Sequence, residues 1–276
     1  FGTKLDLYVD GQSVSRLQIY DVKQHIGPAV VRCGGIGFVE TDPEHRRRGY
    51  SRRVLEGAVE TMRREGYHLS ALFGIEDYYH RFGFAPGLVE CEHSVATRDA
   101  ERAQARLPVR PATPADWPAI AALYEALHER HTGAVVRDPA SWPGFRFGPH
   151  FSERPETLVV LEEGQVVGYA SYNSSPKSCA LGEVGYSGPE VFSTLLAEAA
   201  RLGVERRVER IHFLLPPTDP FAQYLHRYGC RVELSYPRNS TGMVRVLDQT
   251  SLLALLQPVL ARRLRAAGLP GTGTLA

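Results

Sequence analysis

The chain has 276 residues, of which 43% are apolar and 23% charged, and a formal net charge of +1. That length allows one or two domains with cores of their own, and the composition is ordinary for a globular protein. The near-neutral balance argues against a general nucleic-acid or membrane-surface partner. No run of 18 apolar residues and no signal-peptide pattern occurs, so a cytoplasmic location is expected. Cys33, Cys91, Cys179 and Cys230 lie far apart without a CxxC pair, which suits reduced thiols rather than a disulfide frame or a zinc site. No metal is expected.

Residues 4–9 alternate like a strand, and Asp10-Gly11 signals a hairpin into a second strand at 14–20. Residues 36–41 again have strand character and Pro43 breaks it. From Tyr50 onward the apolar residues Val54, Leu55, Ala58 and Met62 recur at helical spacing. Between strand and helix runs Pro43-Glu-His-Arg-Arg-Arg-Gly-Tyr-Ser-Arg-Arg53, so five arginines crowd a helix start. A helix amino end offers unpaired N–H groups and partial positive charge, which favour anionic oxygens. Gly49 lets a ligand approach the backbone without a Cβ in the way. The segment reads as a pyrophosphate-holding loop; solvated surface charge is the alternative. Residues 69–73 form a further short strand, and residues 77–84, DYYHRFGF, a turn or two of helix closed by Gly83.

The second half repeats this pattern. Residues 96–106 are polar and read as a linker or surface helix; residues 107–117 read as strand, turn and an Asp- or Thr-capped helix running to His128. Residues 158–163 and 166–172 pair across Gly164, residues 181–186 form another strand, and 191–202 a helix with Leu195, Leu196 and Ala199 on one face. A strand at 211–215 precedes Tyr224-Leu-His-Arg-Tyr-Gly-Cys230, which mirrors residues 78–84 position for position. The copies differ where chemistry would sit. Residues 186–191 carry no arginine and contain Glu190, and Leu225 stands where the first copy has Tyr79. The second copy is therefore expected to hold a pyrophosphate poorly and to serve shape.

Arg46-x-x-Gly49-x-Ser51 resembles the RxxGx(G/A) loop of the GNAT acyltransferase superfamily, and Tyr79-His-Arg-Phe-Gly83 resembles its short helix near the thioester. Within that superfamily the chain looks most like the tandem-domain, enhanced-intracellular-survival (Eis-like) branch of amine N-acetyltransferases. Ser51 departs mildly from the loop pattern, remaining small. The resemblance implies an α/β (α+β) fold of two tandem GNAT-like domains, with mixed, mostly antiparallel sheets flanked by helices and a short C-terminal helical extension. The expected division is 1–106 for the catalytic domain and linker, 107–247 for the degenerate copy, and 248–276 for the extension. Residues 243–269 resemble the opening of a sterol-carrier-like domain. The strand and helices that open such folds are expected to be missing before Phe1.

The same resemblance implies acetyl-CoA as co-substrate and direct attack by a primary amine, borne by a small molecule or peptide, with Tyr79 as general acid. A phenol with an ordinary pKa of about 10 stays protonated at pH 7 and can donate to a departing thiolate. The main chain of Val39, Glu40 and Thr41 would pair with the pantetheine arm and polarise the acetyl carbonyl. Arg46, Arg47, Arg48, Gly49, Tyr50, Ser51 and Arg52 would grip the pyrophosphate, and Gly74 and Ile75 would line the thiol end. Glu40, Glu76, Asp77 and His80 are candidates for the general base by proximity alone, and the family's terminal carboxylate is not transferred to Ala276. Trp117, Trp142, Phe145, Phe147 and Phe151 read as core or interface, with an acceptor pocket as the alternative for residues 142–151. Two other functions stay open: a non-catalytic acyl-CoA-binding sensor, and a nucleic-acid-binding protein using the arginines, which the net charge disfavours. A homo-oligomer is left open. Leu252, Leu253, Leu255, Leu256 and Leu260 are expected to pack on a neighbouring element rather than on lipid.

Overall fold

The computed structural model describes residues 2–129, 131–146 and 155–269. Phe147, Phe151 and residues 270–276 lie outside the described residues. Two compact units divide the chain: Phe1–Val89, His128–Val136 and Tyr236–Ala276 make the first, and Glu90–Leu127 with Arg137–Ser235 the second.

The first sheet opens with β1 (Gly2–Val9) and β2 (Gln12–Ile26), antiparallel across a turn in which Asp10 and Gly11 both adopt positive φ. This is the conformation that a two-residue hairpin with the native strand twist requires. β2 pairs antiparallel with β3 (Ala29–Thr41), and α1 (Tyr50–Arg64) then crosses over to β4 (Leu69–Gly74), which runs parallel to β3. α1 buries Val54, Leu55, Ala58, Val59 and Met62, a stripe at helical spacing that packs with Leu17, Ile19 and Ile36 of the sheet. The helix stops at Gly66, whose φ of 75° few other residues adopt without strain. There Tyr67 N–H donates to Met62 C=O at 3.0 Å and Gly66 N–H to Arg63 C=O at 3.1 Å, satisfying two last-turn carbonyls.

After β5 (Ala85–Pro86) the chain leaves this sheet, and β6 (Glu90–Ala96) belongs to the second one. There follow α2 (Thr97–Ala100), β7 (Val109–Pro111), α3 (Trp117–His128), β8 (Glu156–Glu162), β9 (Gln165–Tyr172) and β10 (Ala180–Tyr186). α4 (Phe192–Glu205), β11 (Arg210–Phe213), α5 (Pro220–Leu225) and β12 (Arg231–Ser235) complete the unit. Its sheet has the order β12-β6-β11-β10-β9-β8-β7, with β10 and β11 as its parallel pair around the α4 crossover. Leu195, Leu196, Ala199 and Leu202 of α4 pack with Val184, Ile211 and Phe213.

The chain then returns with β13 (Thr241–Val246), which lies between β4 and β5 in the first sheet, and ends in α6 (Gln249–Ala266). The first sheet thus has the order β1-β2-β3-β4-β13-β5. Each sequence repeat supplies one interior strand to the other repeat's sheet, so the units interleave where the sequence suggested consecutive blocks. Every residue of β13 is in register with β4, from Thr241 opposite Gly74 to Val246 opposite Leu69. The stretch resembling the start of a further domain is thus in part an interior strand here. Leu252 and Leu256 of α6 pack with Val31, Cys33 and Leu69 of the first sheet, as expected, whereas Leu253 and Leu255 are exposed. Both sheets are mixed and mostly antiparallel, with helices against them, in line with the expected fold class.

All four cysteines are free. Burial pushes the Cys33 thiol up to about 12 and the Cys179 thiol up to about 11, so both are protonated core residues. Among the described residues no helix is long and apolar enough to cross a membrane, and no group of three or more metal-ligating side chains occurs.

Two expectations follow. A fragment ending at Arg106 lacks β13, leaving the β4 edge unpaired; it should show no cooperative thermal transition by circular dichroism, whereas the full chain should. A cooperative melt of that fragment would mean that the exchanged strand is dispensable. The second concerns Asp116, which accepts from both Arg110 guanidinium nitrogens at 2.7 Å and from Thr113 N–H at 2.7 Å in a capping box ahead of α3. The Arg110 hydrogen bonds, together with those from Thr113, hold its carboxyl well below the usual range. Because the folded value lies below the unfolded one of about 3.9, this stabilisation is complete above that pH and fades as pH falls below it. Asp116→Asn should cost about 1 kcal/mol at pH 7, and the gap to the unmodified chain should narrow in melts as pH falls from about 4 toward 2.

Candidate active site

The site region of the first unit is built by the β3–α1–β4 crossover. β3 and β4 are in register only from Cys33 opposite Leu69 to Ile36 opposite Leu72, so residues 37–41 have β2 alone as a sheet neighbour. Within that stretch the β2–β3 ladder slips. Gln18 faces Gly37 while Arg16 faces Glu40, so Phe38 and Val39 together stand opposite Leu17. Phe38 adopts a φ of 51° and is exposed. A bulge of this kind bends the strand and turns backbone groups out of the ladder.

Beyond Thr41 a short 3-10 turn (Pro43–His45) leads to the arginines, and Arg46 Nε donates back to Thr41 C=O at 3.3 Å. Arg47 and Gly49 both have positive φ, 63° and 79°. Gly49 is the N-cap of α1 and brings no capping side chain. An added Cβ there would meet nothing within 4 Å, so its backbone conformation, not crowding, calls for glycine. The first turn of α1 contains no acid, and Arg47, Arg48 and Arg52 have no acidic partner among the described residues. Cations at a helix amino end oppose the helix dipole, and an anion bound there would reverse that penalty.

A cleft of ≈ 290 Å³ lies at this helix start, walled by Thr41, His45, Arg46, Arg47, Gly49, Tyr50, Ser51 and Arg52 on one side and Tyr78, Arg81 and Phe82 on the other. A second depression of ≈ 400 Å³ shares Thr41 and Arg46 and reaches Arg16, Val39, Glu40 and Asp42. Of the residues singled out in the sequence, Arg46 to Arg52 line the cleft except Arg48. Val39 and Glu40 line the adjoining depression, and Gly74 and Ile75 line neither. Ile75 is exposed at the end of β4.

Tyr79 lies within the short 3-10 segment Tyr79–Phe82, closed by Gly83 at a φ of 73°. It is 8% exposed and packs edge-on against Tyr78, with centroids 5.0 Å apart. Burial, with a smaller contribution from Tyr78, pushes its phenol above the ordinary value of 10.0. Its hydroxyl has no hydrogen-bond partner among the described residues. Gly74 sits against it: a Cβ at Gly74 would come within 2.9 Å of Tyr79 Cδ2 and 2.8 Å of Met243 Sδ. Gly74 thus fixes the Tyr79 ring, and the exchanged strand β13 helps to hold it.

Four residues went unread in the sequence. Tyr78 donates from its hydroxyl to Ser51 Oγ at 2.7 Å, tying the aromatic turn to the start of α1. Arg81 and Phe82 join Tyr78 on the cleft wall, and their spacing of three and four residues from Tyr78, one helical face, could have revealed them. Arg16 ion-pairs with Glu40 at 2.8 Å and with Asp42 at 3.4 Å. Among the candidate bases, Glu40 is therefore engaged. Asp77 accepts from Asn239 Nδ2 at 2.9 Å, which with Arg238 nearby lowers its carboxyl. The His80 ring has its Nδ1 buried without a partner among the described residues.

In the second unit the corresponding segment is structural. Tyr186 donates to Asp219, which also caps α5 through Phe221 N–H at 2.8 Å, and Leu225 is fully buried in the core. Trp142 and Phe145 pack around Arg137, whose guanidinium stacks on Tyr124 at 3.7 Å and pairs with Glu183.

Residues 5–87 match the family model described as an acetyltransferase (GNAT) domain. No curated protein matches the chain. Among solved structures it is similar to a GCN5-related N-acetyltransferase from Kribbella flavida, with 22% identity and a TM-score of 0.72 over 91% of this chain and 62% of that one. It is also similar to a conserved protein of unknown function, probable N-acyltransferase, from Enterococcus faecalis V583, with 18% identity and a TM-score of 0.71 over 93% of this chain and 64% of that one. Eis1 from Mycobacterium abscessus gives 21% identity and a TM-score of 0.62 over 92% and 66%. At these identities the likeness is one of fold, and the chain spans less than two thirds of the length of each. Residues 5–87 are thus similar to a GNAT acetyltransferase domain, and the chain shares the fold of these structures along about nine tenths of its length.

Proposed function

We propose that the first unit transfers an acetyl group from acetyl-CoA to a primary amine, with the phosphate end held at the start of α1 and Tyr79 donating to the departing sulfur. The observation that carries this reading is the arginine-rich helix start itself: uncapped, without an acid in its first turn, with Arg47 and Gly49 in positive φ beside a cleft. Successive N–H groups in such a conformation form a concave anion site. These residues fit a pyrophosphate in both charge and shape. Acetyl-CoA supplies an acetyl thioester already activated toward an amine.

The chain's own residues would do the rest. Arg46, Arg47 and Arg52 add charge to the main-chain grip. The one-sided edge at residues 37–41 offers backbone groups to an extended arm, and the bulge at Phe38 and Val39 aims an N–H toward a developing oxyanion. Tyr79 holds its proton because burial disfavours the phenolate. The Tyr78–Ser51 hydrogen bond keeps the aromatic turn in register with the helix start. Small-molecule and peptide amines both fit this reading.

Acetyl-CoA at a hundred times its Kd should stabilise the full chain by about 2.7 kcal/mol, read as a rise in melting temperature; Arg48→Ala combined with Gly49→Asp should abolish the rise. Tyr79→Phe should keep the thermal shift and lower kcat by about 100-fold or more. Full activity in that variant would remove the role assigned to Tyr79. Since its phenol is raised above 10.0, activity should show no alkaline loss attributable to Tyr79 below about pH 10. Ser51→Ala should cost about 1 kcal/mol of stability while leaving the Gly49 grip in place. A panel of amines assayed by thiol release tests transfer itself: a chain that binds acetyl-CoA yet acetylates none of them only binds.

A further inference from the structure

The second unit lacks loop arginines, yet the structure brings arginines to the corresponding place from another segment. Residues 101–107, read in sequence as linker or surface helix, lie across the first turn of α4. Ser193 Oγ accepts from Gln104 N–H at 3.0 Å and donates to Gln104 C=O at 2.8 Å, while Thr194 Oγ1 accepts from Arg106 N–H at 3.0 Å and Leu107 N–H at 3.3 Å. Thr194 is fully buried. Ala103 and Leu107 pack against the unit's core, and the alternate residues Arg102, Gln104 and Arg106 face outward. The strap is thus pinned by side chains of α4 and by its own apolar residues.

It forms one wall of a cavity of ≈ 400 Å³, larger than the ≈ 290 Å³ cleft of the first unit. Arg102 and Arg106 of the strap line it together with Arg227, Tyr224 and Tyr228, the two tyrosine hydroxyls lying 3.0 Å apart. Arg102 is paired with Asp99 at 3.0 Å. Arg106 and Arg227 have no acidic partner among the described residues, and the Arg227 guanidinium is held over the Tyr224 ring at 5.4 Å. Glu190 is the carboxylate in the wall, so with Arg102 engaged by Asp99 two further guanidinium groups share the cavity with one acid. Two guanidinium forks lining one cavity, neither with an acidic partner among the described residues, suit an anion with several oxygens.

We propose that this cavity of the second unit is a binding site for a diphosphate, free or as part of a nucleotide, held between Arg106 and Arg227. The charge absent from its loop is restored by the strap.

The test uses the full chain carrying Gly49→Asp, which blocks the cleft of the first unit so that binding there cannot be mistaken for binding here. Titration calorimetry with inorganic pyrophosphate should show one site per chain. Arg106→Gln with Arg227→Gln should weaken it at least tenfold, and Glu190→Gln should tighten it. In the chain with an intact loop, the paired glutamine substitutions should leave the melting temperature of the unliganded protein unchanged, which separates lost binding from lost folding. ADP and coenzyme A, titrated likewise, distinguish the sources: binding tighter than pyrophosphate assigns a nucleotide, and equal binding a free diphosphate. No heat with pyrophosphate at millimolar concentration, or affinity unchanged by the paired substitutions, would overturn the proposal.

Discussion

The parallel pairing of β3 with β4 is the constraint on which the rest depends. Parallel neighbours cannot be joined by a hairpin, so a crossover must carry the chain back, and α1 begins just beyond the C-terminal end of β3. That places a helix amino end, a bulged strand edge and the short aromatic turn after β4 in one region. The charges there carry a cost. Arg63 and Arg64 in the last turn of α1 suit the helix dipole, whereas Arg52 and its loop neighbours oppose it, by about 0.3–1 kcal/mol for each nearby charge. A fold selected for stability alone would put acids at that end. The arrangement becomes favourable when an anion is present, which ties the sequence of the loop to binding rather than to folding.

The second unit keeps the constraint and changes what sits on it. β10 and β11 are parallel around α4, as β3 and β4 are around α1. Yet Leu225, a fully buried aliphatic residue, stands in the position of Tyr79, and Tyr186 is committed to Asp219. Topology alone therefore places a helix start at the strand ends but does not decide what that start does. The residues on the loop, and on segments laid across it, decide.

Local features were legible in the sequence because local physics sets them. Asp10-Gly11 turns where two positive φ values are needed, the apolar stripe of α1 is buried as spaced, and Gly83 and Gly229 close matching turns in the two copies. Contacts between residues distant in sequence were not legible. Nothing in residues 90–96 or 241–246 states which sheet takes them, and the partners of β13 lie more than 150 residues earlier. Register there is set by burial in the assembled sheet. The Phe38 bulge and the Tyr78–Ser51 bond escaped for the same reason, since each depends on a partner brought close only by the fold. β2 and β3 also run further than residues 14–20 and 36–41 because they pair with each other out to Ile26 and Ala29, each completing the other's backbone hydrogen bonds.

The two adjacent tyrosines divide the work in a way that magnitudes clarify. Tyr78 uses its hydroxyl proton in the bond to Ser51, so it is a brace between turn and helix. Tyr79, with no partner among the described residues and a phenol raised by burial, is the one with a proton to offer. A thiol has an ordinary pKa of about 8.5 and a phenol about 10, so full transfer from an unperturbed phenol to a thiolate is uphill by about 2 kcal/mol. Burial of Tyr79 steepens that slope. In the proposed reaction its contribution is therefore a hydrogen bond that strengthens as charge collects on the sulfur, with the proton crossing only as the thiolate departs. The same burial that makes Tyr79 a poor acid in water makes it a dependable donor across the neutral range.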